Sequence, residues 1–171
     1  MTFGAQEPVK AVKSRRDQAL AALVAGVPYI QFLGIRFDRR GDEITAVLPF
    51  DDKLIGNPMI PALHGGVTAA FMEVAAIIEL AWSSQWLDME AGVTRPMRLP
   101  KTIDFNVDYL RAGLARDAYA RAVVTRSGRR FASVQVQAWQ DNRAKPFAMA
   151  SAHFLMPEKA DALAPDEGES G

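Results

Sequence analysis

His64-Gly65-Gly66-Val67-Thr68-Ala69-Ala70-Phe71-Met72-Glu73-Val74-Ala75-Ala76-Ile77-Ile78-Glu79-Leu80-Ala81-Trp82 decides the fold class of this chain. From Val67 to Trp82 every residue is apolar or small except Thr68, Glu73 and Glu79. A helix with so narrow a polar stripe is covered on nearly all sides, which predicts one long helix at the centre of the core. Burying an ionised carboxylate without partners is expensive, so Glu73 needs either a structural partner or a chemical task. The structural options are a polar stripe shared with Thr68 or Glu79, or an ion pair. The chemical option is a general base or nucleophile in a dry cleft.

The residues ahead of the helix favour chemistry. Gly65 and Gly66 let a substrate approach the backbone closely, and their N–H groups fall at the positive end of the helix dipole. Such a helix start can hold a developing oxyanion. Nine residues of helix, from His64 to Glu73, rise about 13 Å through two and a half turns, so Glu73 faces away from the end carrying Gly65. One chain can hardly bring the two together. A two-fold dimer with antiparallel helices would set Glu73 of one subunit beside Gly65 of the other and create two composite sites.

Working outward, a first helix is expected from near Ser14. The apolar run Ala19 to Val27 follows Lys10, Lys13, Arg15 and Arg16 and imitates a secretory signal, but Asp17 and Gln18 interrupt it and no cleavage site follows. Pro28 then opens a segment in which Ile30, Phe32, Leu33 and Ile35 pack as a cover over the core. Ile35 to Arg39 and Glu43 to Phe50 read as strands around the turn Arg40-Gly41-Asp42. The loop from Asp51 to Leu63 carries Gly56, Asn57, Pro58 and Pro61.

Beyond the helix, Gly92 to Pro100 is a two-proline loop, and four strands follow. Ile103, Phe105, Val107 and Tyr109 alternate with Asp104, Asn106 and Asp108, a period of two. Tyr119 to Thr125 and Phe131 to Trp139 flank Ser127-Gly128, and Ala144 to Met156 is the last strand, with an irregular start at Pro146. The fold class is therefore α+β: a long central helix wrapped by an antiparallel β-sheet, with an N-terminal helix, in one domain over 13–156. Residues 1–12 read as a flexible N-terminus and 157–171 as a disordered acidic tail.

Composition narrows the function. Twenty basic and twenty acidic residues cancel, so no overall field favours nucleic acid or an anionic membrane. The absence of cysteine removes disulfides, thiolate metal sites and a cysteine nucleophile, and fits a cytoplasmic location. With only His64 and His153, no histidine-based metal centre is expected. His153 reads as a hydrogen-bonded sheet residue. Ser83 and Ser84 lack a second placed histidine for a triad, and no dinucleotide or phosphate-loop motif occurs. The Val67 to Trp82 run, short and carrying two glutamates, reads against a membrane span. Arg126, Arg129 and Arg130 bracket a Ser-Gly turn and can grip phosphate oxygens in forked geometry, or form a solvated hairpin tip. Arg95, Arg98 and Lys101 form a second basic cluster with the same ambiguity.

The stretch Asn57-Pro58-Met59-Ile60-Pro61-Ala62-Leu63-His64-Gly65-Gly66-Val67, with an acidic residue nine positions after the histidine, resembles the hotdog-fold acyl-CoA thioesterases of the PaaI type. Thr102-Ile103-Asp104-Phe105-Asn106-Val107-Asp108-Tyr109-Leu110-Arg111 is similar to their first long strand after the central helix. The resemblance covers roughly residues 20 to 156.

It implies that Glu73 attacks the thioester carbonyl or activates a water, that the Gly65 N–H polarises that carbonyl, that His64 orders the turn, and that Asn57 orients water or substrate. Gly66 and the arginines of the Ser-Gly turn would then bind substrate. The family often has a serine or threonine three or four positions after the acid, where this chain has Ala76 and Ile77. The implied activity is hydrolysis of an acyl-CoA to a carboxylic acid and free coenzyme A. No cofactor is implied beyond the coenzyme A of the substrate. The assembly would be a homodimer or a dimer of dimers. Two other readings remain at this stage: a hotdog hydratase or dehydratase, and a non-catalytic acyl-CoA sensor.

Overall fold

A computed structural model describes residues 9–90 and 98–158. Helix α1 (Val9–Ala25) is followed by the short α2 (Pro28–Leu33), strands β1 (Arg36–Arg40) and β2 (Glu43–Leu48), and a two-stranded ribbon of β3 (Ile55–Asn57) and β4 (Ala62–Leu63). Then come the central helix α3 (Gly65–Glu90) and strands β5 (Lys101–Tyr109), β6 (Ala118–Ser127), β7 (Phe131–Trp139) and β8 (Ala148–Leu155). The large sheet has six antiparallel strands in the order β1-β2-β6-β7-β8-β5. Strands β1 and β5 are therefore its edges.

The apolar run does form one helix, 26 residues long, and the sheet explains how it fits. Ala46, Ala118, Ala120, Ala132, Ala138, Ala148, Ala150 and Ala152 are buried on the sheet. Methyl-sized side chains let the helix approach closely while Phe71, Met72, Ile78 and Leu80 fill the remaining space without exposure above 1%. By length and composition Gly65–Trp86 is long enough to cross a membrane, longer than its sequence suggested, but it packs here as the core helix against the sheet.

Among the departures from expectation are two element starts and the packing of Phe32. Helix α1 begins at Val9 rather than near Ser14, because Lys10, Lys13, Arg15 and Arg16 are all good helix formers. Phe32 does not join the cover: it is 67% exposed and stacks on Tyr29, while Ile30, Leu33 and Ile35 are buried. The last strand starts at Ala148 rather than Ala144, since the Asn142 carboxamide oxygen accepts the Ala144 N–H and turns the chain there. Most of the 92–100 loop, residues 1–8 and the tail from 159 lie outside the described residues.

Helix α1 closes the structure from outside. Asp17 on α1 accepts from Arg39 of β1 at 2.7 and 3.0 Å, and Arg16 lies 3.6 Å over the Trp86 ring near the end of α3. A groove of about 560 Å³ runs between α1 and β1, lined by Leu20, Val24, Ile35, Phe37 and the charged Lys13 and Asp38. None of the predicted site residues lines it.

Candidate active site

The β3–β4 ribbon delivers His64 to the start of α3. The His64 N–H donates to the Leu54 carbonyl at 2.8 Å, and the His64 carbonyl accepts from Thr68 at 3.0 Å as the first helical bond. Gly56 of β3 passes so close that an added Cβ would sit 2.7 Å from the His64 Cα. Only glycine permits this approach. His64 Nδ1 accepts the Gly66 N–H at 2.9 Å, so Nδ1 carries a lone pair and the ring proton resides on Nε2. The side chain thereby caps one of the orphan donors of the helix. The Gly65 N–H has no acceptor among the described residues. From the other side, the Tyr109 hydroxyl at the end of β5 donates to the Gly65 carbonyl at 2.7 Å.

Glu73 stands two turns further along α3, half-buried. Thr102 of β5 donates its hydroxyl to Glu73 Oε1 at 2.6 Å. The contact depends on an irregularity in β5. Thr102 pairs with Phe154 and Asp104 with His153, so Ile103 is an extra residue between consecutive pairs. This bulge puts Thr102 on the helix side of the sheet along with Phe105, although strict alternation would put it with Asp104, Asn106 and Asp108.

The other predicted residues fall around these two centres. Asn57 is exposed and its side-chain oxygen accepts the Met59 N–H at 3.0 Å, which shapes the β3–β4 turn and leaves the amide NH2 as its outward group. Arg126, Arg129 and Arg130 are exposed. Phe131 and Lys101 both register with Leu155, so the β6–β7 hairpin closes at the Thr102 end of β5. Lys101 therefore joins the arginines at that end of the sheet, while Arg95 lies outside the described residues. His153 pairs through Nδ1 with Asp104 at 3.0 Å on the outer face of the sheet, as a structural residue. Glu79 is half-buried and has no hydrogen-bond partner among the described residues; burial pushes its carboxyl up to about 7. Among the described residues no group of three or more His, Cys, Asp or Glu is arranged to hold a metal.

Residues 56–155, more than half of the chain, match the family model described as the acyl-CoA thioesterase N-terminal domain. The chain belongs to the acyl-CoA thioesterase family. It is similar to the medium/long-chain acyl-CoA thioesterase YigI of Salmonella typhimurium, with 27% identity over 135 residues, covering 76% of this chain and 86% of that protein. YigI of Escherichia coli K12 is 30% identical over 116 residues, covering 65% and 74%. A crystal structure of a Chromobacterium violaceum protein superposes with a TM-score of 0.61 at 36% identity, covering 87% of this chain and 98% of that one. The hotdog thioesterase expected from the sequence is thus the family and fold found, and the protein is a thioester hydrolase.

For this thioesterase the sequence did not flag two residues that touch the site groups, Thr102 and Tyr109. Tyr109 had a signal, an aromatic with a polar tip ending the apolar face of a strand. Thr102 had none, because the period of two continues visibly through Asp104, Asn106 and Asp108 and conceals the bulge.

Proposed function

We propose that this chain hydrolyses medium- to long-chain acyl-CoA thioesters at a composite site, with the Gly65 N–H of one subunit polarising the carbonyl and Glu73 of another acting as general base. The observation that carries this is the pair of anchors on β5. Tyr109 holds the helix turn with Gly65 and Thr102 holds Glu73, at opposite ends of an edge strand. An open, nine-residue edge exposing Ile103 and Tyr109 is a template for another strand. Antiparallel pairing of two copies about a two-fold axis sets the Tyr109 end of one against the Thr102 end of the other. Gly65 of one chain is then carried toward Glu73 of its partner, in line with the antiparallel helices.

In the reaction, the thioester oxygen accepts from the Gly65 N–H, at the positive end of α3. Glu73 takes a proton from water as its oxygen bonds to the carbonyl carbon. The tetrahedral intermediate collapses by breaking the C–S bond, and the coenzyme A thiolate leaves and is protonated. The general-base role suits a carboxylate with Oε1 already engaged by Thr102 and Oε2 left to receive the proton. Coenzyme A enters as part of the substrate, with its phosphates read at Arg126, Arg129 and Arg130. The chain-length preference is extended from the names of the YigI relatives. The exposed apolar side chains Met59, Ile60, Leu110 and Leu114 around the β3–β4 ribbon suit an acyl chain.

Thiol release from a panel of acyl-CoAs, short to long and aryl, tests this with the native protein and Glu73→Gln. Release that peaks at medium or long chains and is lost in the variant supports the reading. A change in the acyl double bond without thiol would instead indicate a hydratase, and binding without turnover a sensor.

A further inference from the structure

We infer that Thr102 is the positioning residue of Glu73, a role that rests on the reading of Glu73 as the general base. The central helix itself gives the carboxylate no polar neighbour. The side chains that share its face of α3, one turn before and after, belong to Ala69, Ala70, Ala76 and Ile77. None can donate a hydrogen bond. The hydroxyl comes from another element, 29 residues later, at 2.6 Å from Oε1.

Glutamate has three side-chain torsions, and a base that wanders among rotamers meets its water only part of the time. Threonine is stiff at χ1, so its Oγ is a fixed point once the backbone is fixed. A carboxylate accepts only, so the hydroxyl donates. Holding Oε1 sets the plane of the carboxylate and turns Oε2 to a single direction. The bulge at Ile103 makes this geometry available, and bulges recur where a strand must re-aim a side chain beside an active site.

The effect belongs to the chemical step rather than to binding, because Thr102 acts through Glu73. Thr102→Val keeps the shape and the β-branch and removes the donor. Thr102→Ser restores the donor on a looser side chain. Steady-state hydrolysis of one medium-chain acyl-CoA, with thermal melts to compare folding, is measured for both and for Glu73→Gln. Thr102→Val is expected to lower kcat about tenfold or more with KM nearly unchanged, as for loss of a hydrogen bond to a charged group. Thr102→Ser is expected to recover most of that loss. A Thr102→Val enzyme with native kcat, a rise in KM alone, or a serine variant as impaired as the valine one would overturn the inference while leaving Glu73 as the base. Native turnover by Glu73→Gln would instead overturn the assignment of Glu73 itself, and with it any role for Thr102 through it.

Discussion

Tyr109 and Gly65 are joined by a hydrogen bond of 2.7 Å from the phenol to the glycine carbonyl, across 44 residues of sequence. The ring also lies 3.4 Å from where a Gly65 Cβ would be, so the phenol both caps and packs the first turn of α3. Tyr109→Phe keeps the packing and removes the bond. The expected result is a loss of about 1 kcal/mol in stability and a fall in kcat/KM, read from a thermal melt and from thiol release. An unchanged rate would mean that the first turn holds its place without the phenol.

The proposed composite site predicts complementation between two dead subunits. Glu73→Gln lacks the proposed base. Gly65→Pro lacks the N–H at a first helical position where proline is tolerated. In a mixture refolded together, half of the dimers carry both lesions and each has one intact site, so about a quarter of native activity returns. A mixture that stays inactive places both groups of each site in one chain.

His64 acts through its Nδ1 lone pair, which the Asn side-chain oxygen can imitate and a methyl group cannot. His64→Asn is expected to retain more activity than His64→Ala, and to be more stable by about 1 kcal/mol, the usual difference at a helix N-cap. Equal losses in the two variants would show that the imidazole does something besides accept the Gly66 N–H.

Glu79 makes stability depend on pH. Its folded pKa, about 7, lies above the ordinary value of 4.5, so the native state keeps a proton that the unfolded chain releases. Stability from this group is complete below about pH 4.5, falls as pH rises through the window between 4.5 and 7, and is flat above it. Glu79→Gln removes the penalty. Its melting temperature is expected to exceed the native one by a few degrees at pH 8, for a gain on the order of 1–3 kcal/mol, and by much less at pH 4.5. The same gain at both pH values would mean that burial of the charge is not what destabilises the native protein.

Arg129→Ala and Arg130→Ala together are expected to raise KM for an acyl-CoA by about tenfold, the scale of lost charge-assisted phosphate contacts. The same thioester on pantetheine, which lacks the nucleotide phosphates, is expected to show no change. A rise for both substrates would locate the effect in the hairpin fold rather than in phosphate binding.

Much of this architecture is legible in the sequence because its signals are periodic. The α3 run, the alternation of β5, and the turns at Gly41 and Gly128 identify a helix on an antiparallel sheet. His64, Gly65 and Glu73 stand out by chemistry in an apolar setting. What stays hidden is set by distance or by a single residue of phase. Tyr109 meets Gly65, and Thr102 meets Glu73, only after the sheet is assembled. The exposed Phe32 has the apolar character of a core residue and differs from Ile30 only in which way a six-residue helix turns.

The extra residue at Ile103 gives strand β5 a parity. Were the strand regular through Asp104 with every residue kept, Ile103 would face the helix and Thr102 would turn its hydroxyl away from Glu73, an apolar side chain where a donor stood. Deleting Ile103 outright would instead join Thr102 to Asp104 in an unbroken ladder and leave the hydroxyl on the helix side, opposite Phe154. When relatives are aligned through β5, a one-residue gap at Ile103 therefore preserves the face of Thr102, which a count of alternating residues would misassign.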